Sequence, residues 1–127
     1  MKFDESQTIF IQIAEQFRRD ILKERWKDDE RLPSIRETAV ELQVNPNTVA
    51  KSYAELEENG EIYKQRGLGY YVASGAKDRI MKKKKTDFFQ KDLPEIFRNL
   101  EMLNIGADEL CGLYYKFIAN SKEEEQQ

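Results

Sequence analysis

The order of start and stop signals between residues 33 and 73 constrains this chain more than anything else in it. Pro33 disfavours helical backbone at Leu32, so the chain enters this stretch extended. Ser34 with Glu37 forms a Ser-x-x-Glu capping box, which opens a helix. Gln43 and Val44 make a turn. Asn45 then offers a side-chain cap, and Pro46 sits at a first helical position, where its missing N–H costs nothing. Asn59-Gly60 closes this second helix, with Gly60 free to turn left-handed. Two short runs, 61–65 and 69–73, flank Arg66-Gly67-Leu68-Gly69 and read as a hairpin. Side chains two apart share a strand face, which groups Ile62 with Lys64 and Tyr70 with Val72, and sends Tyr63 and Tyr71 the other way. Two short helices, a tight turn and a hairpin in this order are a winged helix-turn-helix.

The flanking segments fit that frame. Ile9, Ile13, Phe17 and Ile21, with Phe10, Ala14 and Leu22 beside them, predict an amphipathic helix over about 6–26. Ser6 or Thr8 would cap it, and Asp28, Asp29 and Glu30 would end it. The second helix should turn Ile35, Ala39, Val40 and Leu42 inward, and the third Val49, Tyr53, Leu56 and Ala50. Ser74-Gly75 is the natural boundary. A basic helix then begins near Lys77, Pro94 interrupts or kinks it, and Asn104-Ile105-Gly106 turns into a last helix whose start carries Asp108 and Glu109. The expected fold is mainly α with a small β-hairpin. Residues 1–75 form a winged helix-turn-helix, and residues 76–127 a short two-helix region for dimerisation.

A major groove about 12 Å wide admits one α-helix. In a helix-turn-helix the second helix lies there, and residues near its N-terminus meet base edges. Those residues are Asn45, Asn47, Thr48 and Lys51, with Asn47 the stronger reader because Asn45 is engaged in capping. Arg36, in the first turn of the preceding helix, suits a phosphate or a guanine. At the wing tip Arg66 supplies charge, and Gly67 and Gly69 supply bare backbone that can approach DNA closely.

Overall charge gives this reading no help. The chain holds 21 Lys plus Arg against 24 Asp plus Glu, net −3. Residues 1–75 contain 11 basic and 14 acidic groups, and residues 76–127 contain 10 of each. Lys77, Arg79, Lys82, Lys83, Lys84, Lys85 and Lys91 form the one strong basic cluster. It reads first as a solvated helix face and second as a source of auxiliary phosphate contacts. The competing reading of the whole chain is a winged-helix protein-interaction module without sequence-specific DNA binding, which the acidic balance favours slightly.

Enzyme chemistry finds no support. Histidine is absent, and no glycine-rich phosphate motif is present. Cys111, the single cysteine, sits in an apolar helical stripe and reads as a buried structural thiol. No metal site and no cofactor are expected. The lack of a signal peptide or a membrane-length apolar run points to the cytoplasm, with no membrane partner.

At Arg31-Leu32-Pro33-Ser34-Ile35-Arg36-Glu37, Val44-Asn45-Pro46-Asn47-Thr48-Val49, Tyr53, Leu56-Glu57, Gly60 and Arg66-Gly67-Leu68-Gly69-Tyr70-Tyr71-Val72, the chain closely resembles the DNA-binding domain of the GntR family of bacterial transcription regulators. The resemblance runs over residues 8–73. It implies a homodimer with an N-terminal winged helix and a variable C-terminal part, and it carries DNA contacts onto Arg36, Asn47, Thr48, Arg66 and Gly67. Many members place a basic residue where Pro46 or Ala50 stands here. About fifty residues follow Ala73, a length that resembles the YtrA subfamily, whose members often sit beside transporter genes and repress them. The resemblance therefore implies a repressor of a transporter operon.

Phe88, Phe89, Ile96, Phe97, Leu100, Leu103, Leu110, Leu113, Tyr114 and Phe117 are too many large apolar groups for two exposed helices. Burying one such side chain contributes about 1.5–3 kcal/mol. A two-fold homodimer using these helices would cover them and present two reading helices to an inverted-repeat operator. Tyr114 and Tyr115 are the candidate lining for a small-molecule effector, although two short helices rarely enclose a ligand-sized pocket.

Overall fold

The computed structural model describes Phe3 and residues 8–125. Its elements are α1 (Ile9–Leu22), α2 (Ile35–Leu42), α3 (Pro46–Glu58), β1 (Ile62–Gln65), β2 (Gly69–Val72), α4 (Ala76–Asp87), a π-helical segment (Phe88–Asp92), α5 (Leu93–Met102) and α6 (Ala107–Glu125). The chain divides into two compact units, residues 1–84 and 85–127. The first unit runs past Gly75 because the start of α4 belongs to its core, with Ala76 and Ile80 buried there.

In the first unit α1, α2 and α3 pack around Tyr53, which is fully buried. Its ring meets Phe17 edge-on at 5.5 Å and Tyr70 at 5.0 Å. Its hydroxyl donates to the Pro33 carbonyl oxygen and lies 3.0 Å from the Thr38 hydroxyl. A phenol has one proton to give, so Thr38 is the donor in that second bond. Burial pushes the Tyr53 hydroxyl up to about 12, against the pull of Thr38. Ile13, Ile21, Leu32, Val49, Leu56, Ile62 and Val72 complete the core.

α1 is shorter than its apolar stripe suggests. It ends at Leu22, four residues before Trp26, because Glu24 adopts φ 60°. The N–H groups of Glu24 and Arg25 then reach back to the carbonyls of Ile21 and Asp20, a Schellman closure made without glycine. Thr8 holds the N-cap position, but its side chain makes no capping bond. Ser6, the other candidate, lies outside the described residues.

In α2 the capping box is complete. Ser34 Oγ accepts from the Glu37 N–H at 3.0 Å, and Glu37 Oε1 accepts from the Ser34 N–H at 3.4 Å. Val40, expected inward, is 74% exposed. The buried position it was assigned goes to Thr38, one helical turn after Ile35 and on the same face as Ala39 and Leu42, because the Thr38 hydroxyl has a buried partner in Tyr53.

The hairpin pairs Ile62 with Val72 and Tyr63 with Tyr71, and those two tyrosine rings stack at 5.7 Å on the outer face. Residues 29–32 add a third antiparallel edge. The Leu32 N–H donates to Tyr70, the Val72 N–H to Glu30 and the Asp29 N–H to Val72. Asp29 also accepts from the Tyr63 hydroxyl, and Asp28 from the Gly75 N–H, so neither carboxylate merely solvates a loop.

A buried charge cluster, not visible in the sequence, ties the first unit together. Arg18 on α1 donates to Glu61 at 2.7 Å, Glu15 at 2.8 Å and Glu55 at 3.3 Å, and Lys84 on α4 donates to Glu15 at 2.6 Å. Burial raises the Glu61 carboxyl, and Arg18 only partly offsets it. Burial also pulls Glu15 upward, but there the hydrogen bonds from Lys84 and Arg18 win and its pKa falls below the ordinary value.

In the second unit α5 follows the π-helical segment, with Pro94 accommodated in its first turn. Asn104, at φ 56°, closes α5, and the Ile105 N–H reaches the Leu100 carbonyl. No residue of the π-helical segment, α5 or α6 is buried. Cys111 is exposed, which corrects the reading of a buried thiol: the apolar stripe around it is itself open to solvent.

Candidate nucleic-acid interface

The N-terminal end of α3 is built to be presented. Asn45 Oδ1 accepts from the Asn47 N–H at 2.8 Å, which satisfies one of the free donors of the first turn. That bond occupies the Asn45 oxygen and leaves the Asn47 amide side chain outward. Asn45, Pro46, Asn47 and Lys51 are exposed, and Thr48 is half-buried. From the other side of the helix Ser52, fully buried, donates to the Phe10 carbonyl at 2.7 Å and locks α3 against α1. The helix therefore shows one face to the core and its opening turn to solvent.

Charge is distributed to match. The first turn of α3 contains no acidic residue. The acidic groups Glu55, Glu57 and Glu58 lie at the opposite end, near the negative pole of the helix dipole, and Glu55 is engaged by Arg18. Within α3 the acidic groups are thus kept away from the turn that carries Asn47 and Thr48. Arg36 is exposed in the first turn of α2. Arg66, Gly67 and Leu68 are exposed at the tip of the wing.

The two wing glycines have separate reasons. Gly67 takes φ 79° with open space around it, so it is a turn requirement. Gly69 takes φ 112°, and a Cβ there would lie 3.2 Å from Arg31 Nε. Arg31 is an exposed cation set against the wing that sequence reasoning treated as part of a connector. The signal available for it was the extended backbone that Pro33 imposes, which makes residues 29–32 a candidate third strand.

Part of the basic cluster is engaged within the chain, while Lys82, Lys85 and Lys91 are exposed. Lys77 pairs with Glu24 at 3.2 Å, and Arg79 donates to the Gly60 carbonyl at 2.8 Å. Lys83 donates to Asn59 Oδ1 at 3.1 Å, and Lys84 holds Glu15. Arg79 and Lys83 thus grip the C-terminal cap of α3. Helix α4 braces α3 at its C-terminal end.

The residues expected at a dimer contact are solvent-facing in the single chain. Phe88, Phe89, Phe97, Leu103, Leu113, Tyr114 and Phe117 are exposed, Phe117 at 68%, while Leu100 and Leu110 are half-buried. Tyr114 and Tyr115 are both exposed, with ring centroids 5.9 Å apart. Among the described residues no helix is long and apolar enough to cross a membrane.

The model of the gntR family of bacterial regulatory proteins matches residues 11–72. The HTH-type transcriptional repressor YtrA of Bacillus subtilis is 42% identical over 81 residues, which cover 64% of this chain and 62% of that one. A crystal structure of a GntR-family transcriptional regulator from Bacteroides thetaiotaomicron superposes with a TM-score of 0.79 at 40% identity, covering 89% of this chain and 99% of the other. YtrA from Sulfolobus acidocaldarius, a GntR-family transcription factor, superposes at 0.58 with 33% identity, covering 79% of this chain and 96% of its own. These relatives are regulators of transcription, not enzymes.

Proposed function

We infer the function of this protein from its family: the chain belongs to the GntR family of bacterial regulatory proteins, in its YtrA-like branch. It is a DNA-binding transcriptional regulator. Its specific action, on our reading, is repression, exerted by a homodimer on an inverted-repeat operator in the cytoplasm, with a transporter operon as the target class. The DNA-contacting set is Arg36, Asn45, Asn47, Thr48, Lys51, Arg66, Gly67 and Gly69.

One observation carries this reading: the opening turn of α3 is exposed, free of acidic residues and anchored from behind by Ser52 and Tyr53. Asn47 can offer donor and acceptor together to an adenine edge, and Arg36 and Arg66 flank it with phosphate or groove contacts. The unburied apolar faces of α5 and α6 support the dimer. An apolar surface of this size asks for a partner, and a second copy supplies a self-complementary one.

Footprinting on the DNA upstream of its own gene tests the reading. Protection of two half-sites about one helical turn apart is the expected result. Asn47→Ala and Arg36→Ala should each weaken specific binding by about 1–3 kcal/mol. Undiminished binding in both variants, or a stable monomer in sedimentation at micromolar concentration, would reject it. Protein capture with no protected DNA would favour the interaction module.

A further inference from the structure

The first unit contains a cleft of about 340 Å³ between α1 and α2 that the DNA-binding reading does not use. Its volume lies within the range that encloses small organic ligands. Phe17, Trp26 and Leu42 form apolar walls. The only ionisable groups lining it are Asp20 and Glu41, and no Lys or Arg is among its lining residues. We propose that this cleft binds a small organic cation, an ammonium or guanidinium carried on an apolar body.

The chemistry of the lining selects that class. An aromatic wall and two carboxylates attract a cation through ring quadrupole and charge together, and they repel an anion. Asp20 already shows the preference. Its carboxylate, 18% exposed, accepts from the guanidinium of Arg25 at 3.3 Å and from Gln16 at 3.2 Å, while Arg25 itself is 66% exposed. This carboxylate thus already accepts a guanidinium, with Arg25 itself outside the lining of the cleft. Glu41 has no ion-pair partner among the described residues, so it is the open charge of the site.

The cleft also touches the anchor of α3. Pro33 and Thr38 line it, and both hydrogen-bond to the Tyr53 hydroxyl. An occupant therefore contacts the two groups that hold the reading helix. Any effect of that contact on operator affinity rests on the function proposed above, whereas occupancy does not.

Trp26 is the only tryptophan in the chain, so its fluorescence reports occupancy directly in the full-length protein without DNA. Phenethylammonium, neutral 2-phenylethanol and anionic 3-phenylpropionate serve as probes of similar size at constant ionic strength. The ammonium should change Trp26 emission saturably, with a Kd on the order of 1 mM for so small a ligand. The alcohol should bind at least about threefold more weakly, and the carboxylate should not bind. Glu41→Gln, a surface change, should weaken the ammonium about threefold and leave the alcohol as it was. Absence of a saturable change with the ammonium up to about ten times that Kd overturns the proposal. So does equal affinity for ammonium and alcohol, or unchanged ammonium affinity in both Glu41→Gln and Asp20→Asn. Loss of DNA binding would leave this titration unaffected, so the two readings fail separately.

Discussion

Residues 1–84 bury Val49, Tyr53, Leu56 and Val72 completely, whereas in residues 85–127 no residue of the π-helical segment, α5 or α6 is buried. Both regions are rich in large apolar side chains. The difference lies in geometry. The first unit wraps three helices and a hairpin around one tyrosine, so each apolar stripe finds another within the same chain. The second consists of helices alone, each with a stripe and none with a closed core. The first unit closes its own core, and the second leaves its apolar faces open.

Fragments would break this comparison most decisively. Residues 1–84 alone should keep their helix signal in circular dichroism across a hundredfold dilution. Residues 85–127 alone should lose theirs on dilution, because single short helices are marginal in water. Concentration-independent helicity in the second fragment would show that it has a core of its own. Within the first unit, Arg18→Met should cost about 3–5 kcal/mol in urea denaturation, since it strands the Glu61 carboxylate in the interior. The double variant with Glu61→Leu should recover most of that loss. No recovery would mean that Arg18 acts through packing rather than charge.

A smaller effect belongs to the α2 cap. Ser34→Ala should cost about 1 kcal/mol, measured the same way, by removing the bond to the Glu37 N–H. The smallest concerns the α4 clamp. Glu15 has a lowered pKa, so its contribution is present above its ordinary value of 4.5 and is lost as pH falls through the folded value. Lys84→Met should therefore destabilise by less than about 1 kcal/mol near pH 7, and the two proteins should converge in stability as pH falls through the lowered Glu15 value. Glu61, raised by burial, works in the opposite sense and has Arg18 as its hydrogen-bond partner, so this variant leaves it in place. A gap that persists at low pH would assign Lys84 a packing role.

What was legible in the sequence were the features whose physics is local. The capping box of Ser34 and Glu37, the Asn45-Pro46 start, the Gly60 stop and the hairpin around Gly67 each depend on residues a few positions apart. The exposed turn carrying Asn47 and Thr48 was legible for the same reason. The third edge of the wing at residues 29–32 was not, because its partners lie about forty residues away in the chain. Nor was the α4 clamp, where lysines that read as a solvated face turn out to hold Glu15 and the cap of α3.

Helix ends show the same division. Gly60, Asn104, Gln43 and Glu24 all take left-handed backbone, yet only glycine and asparagine advertise it. At Glu24 the residue type gives no such signal, and sequence periodicity carries α1 past its true end, whereas the turn at Gln43 falls where the sequence places it. Thr38 in place of Val40 is the parallel case in the core: hydrophobicity ranks valine first, but a hydroxyl with a buried partner takes the site. The sequence by itself therefore determined the elements, their order and the turn that is presented outward, since short-range sterics and hydrogen bonds set those. Tertiary structure alone decided which charges are buried, which helix braces α3 and where the cleft opens, since these depend on distant residues meeting in a medium where an unpaired polar group is costly.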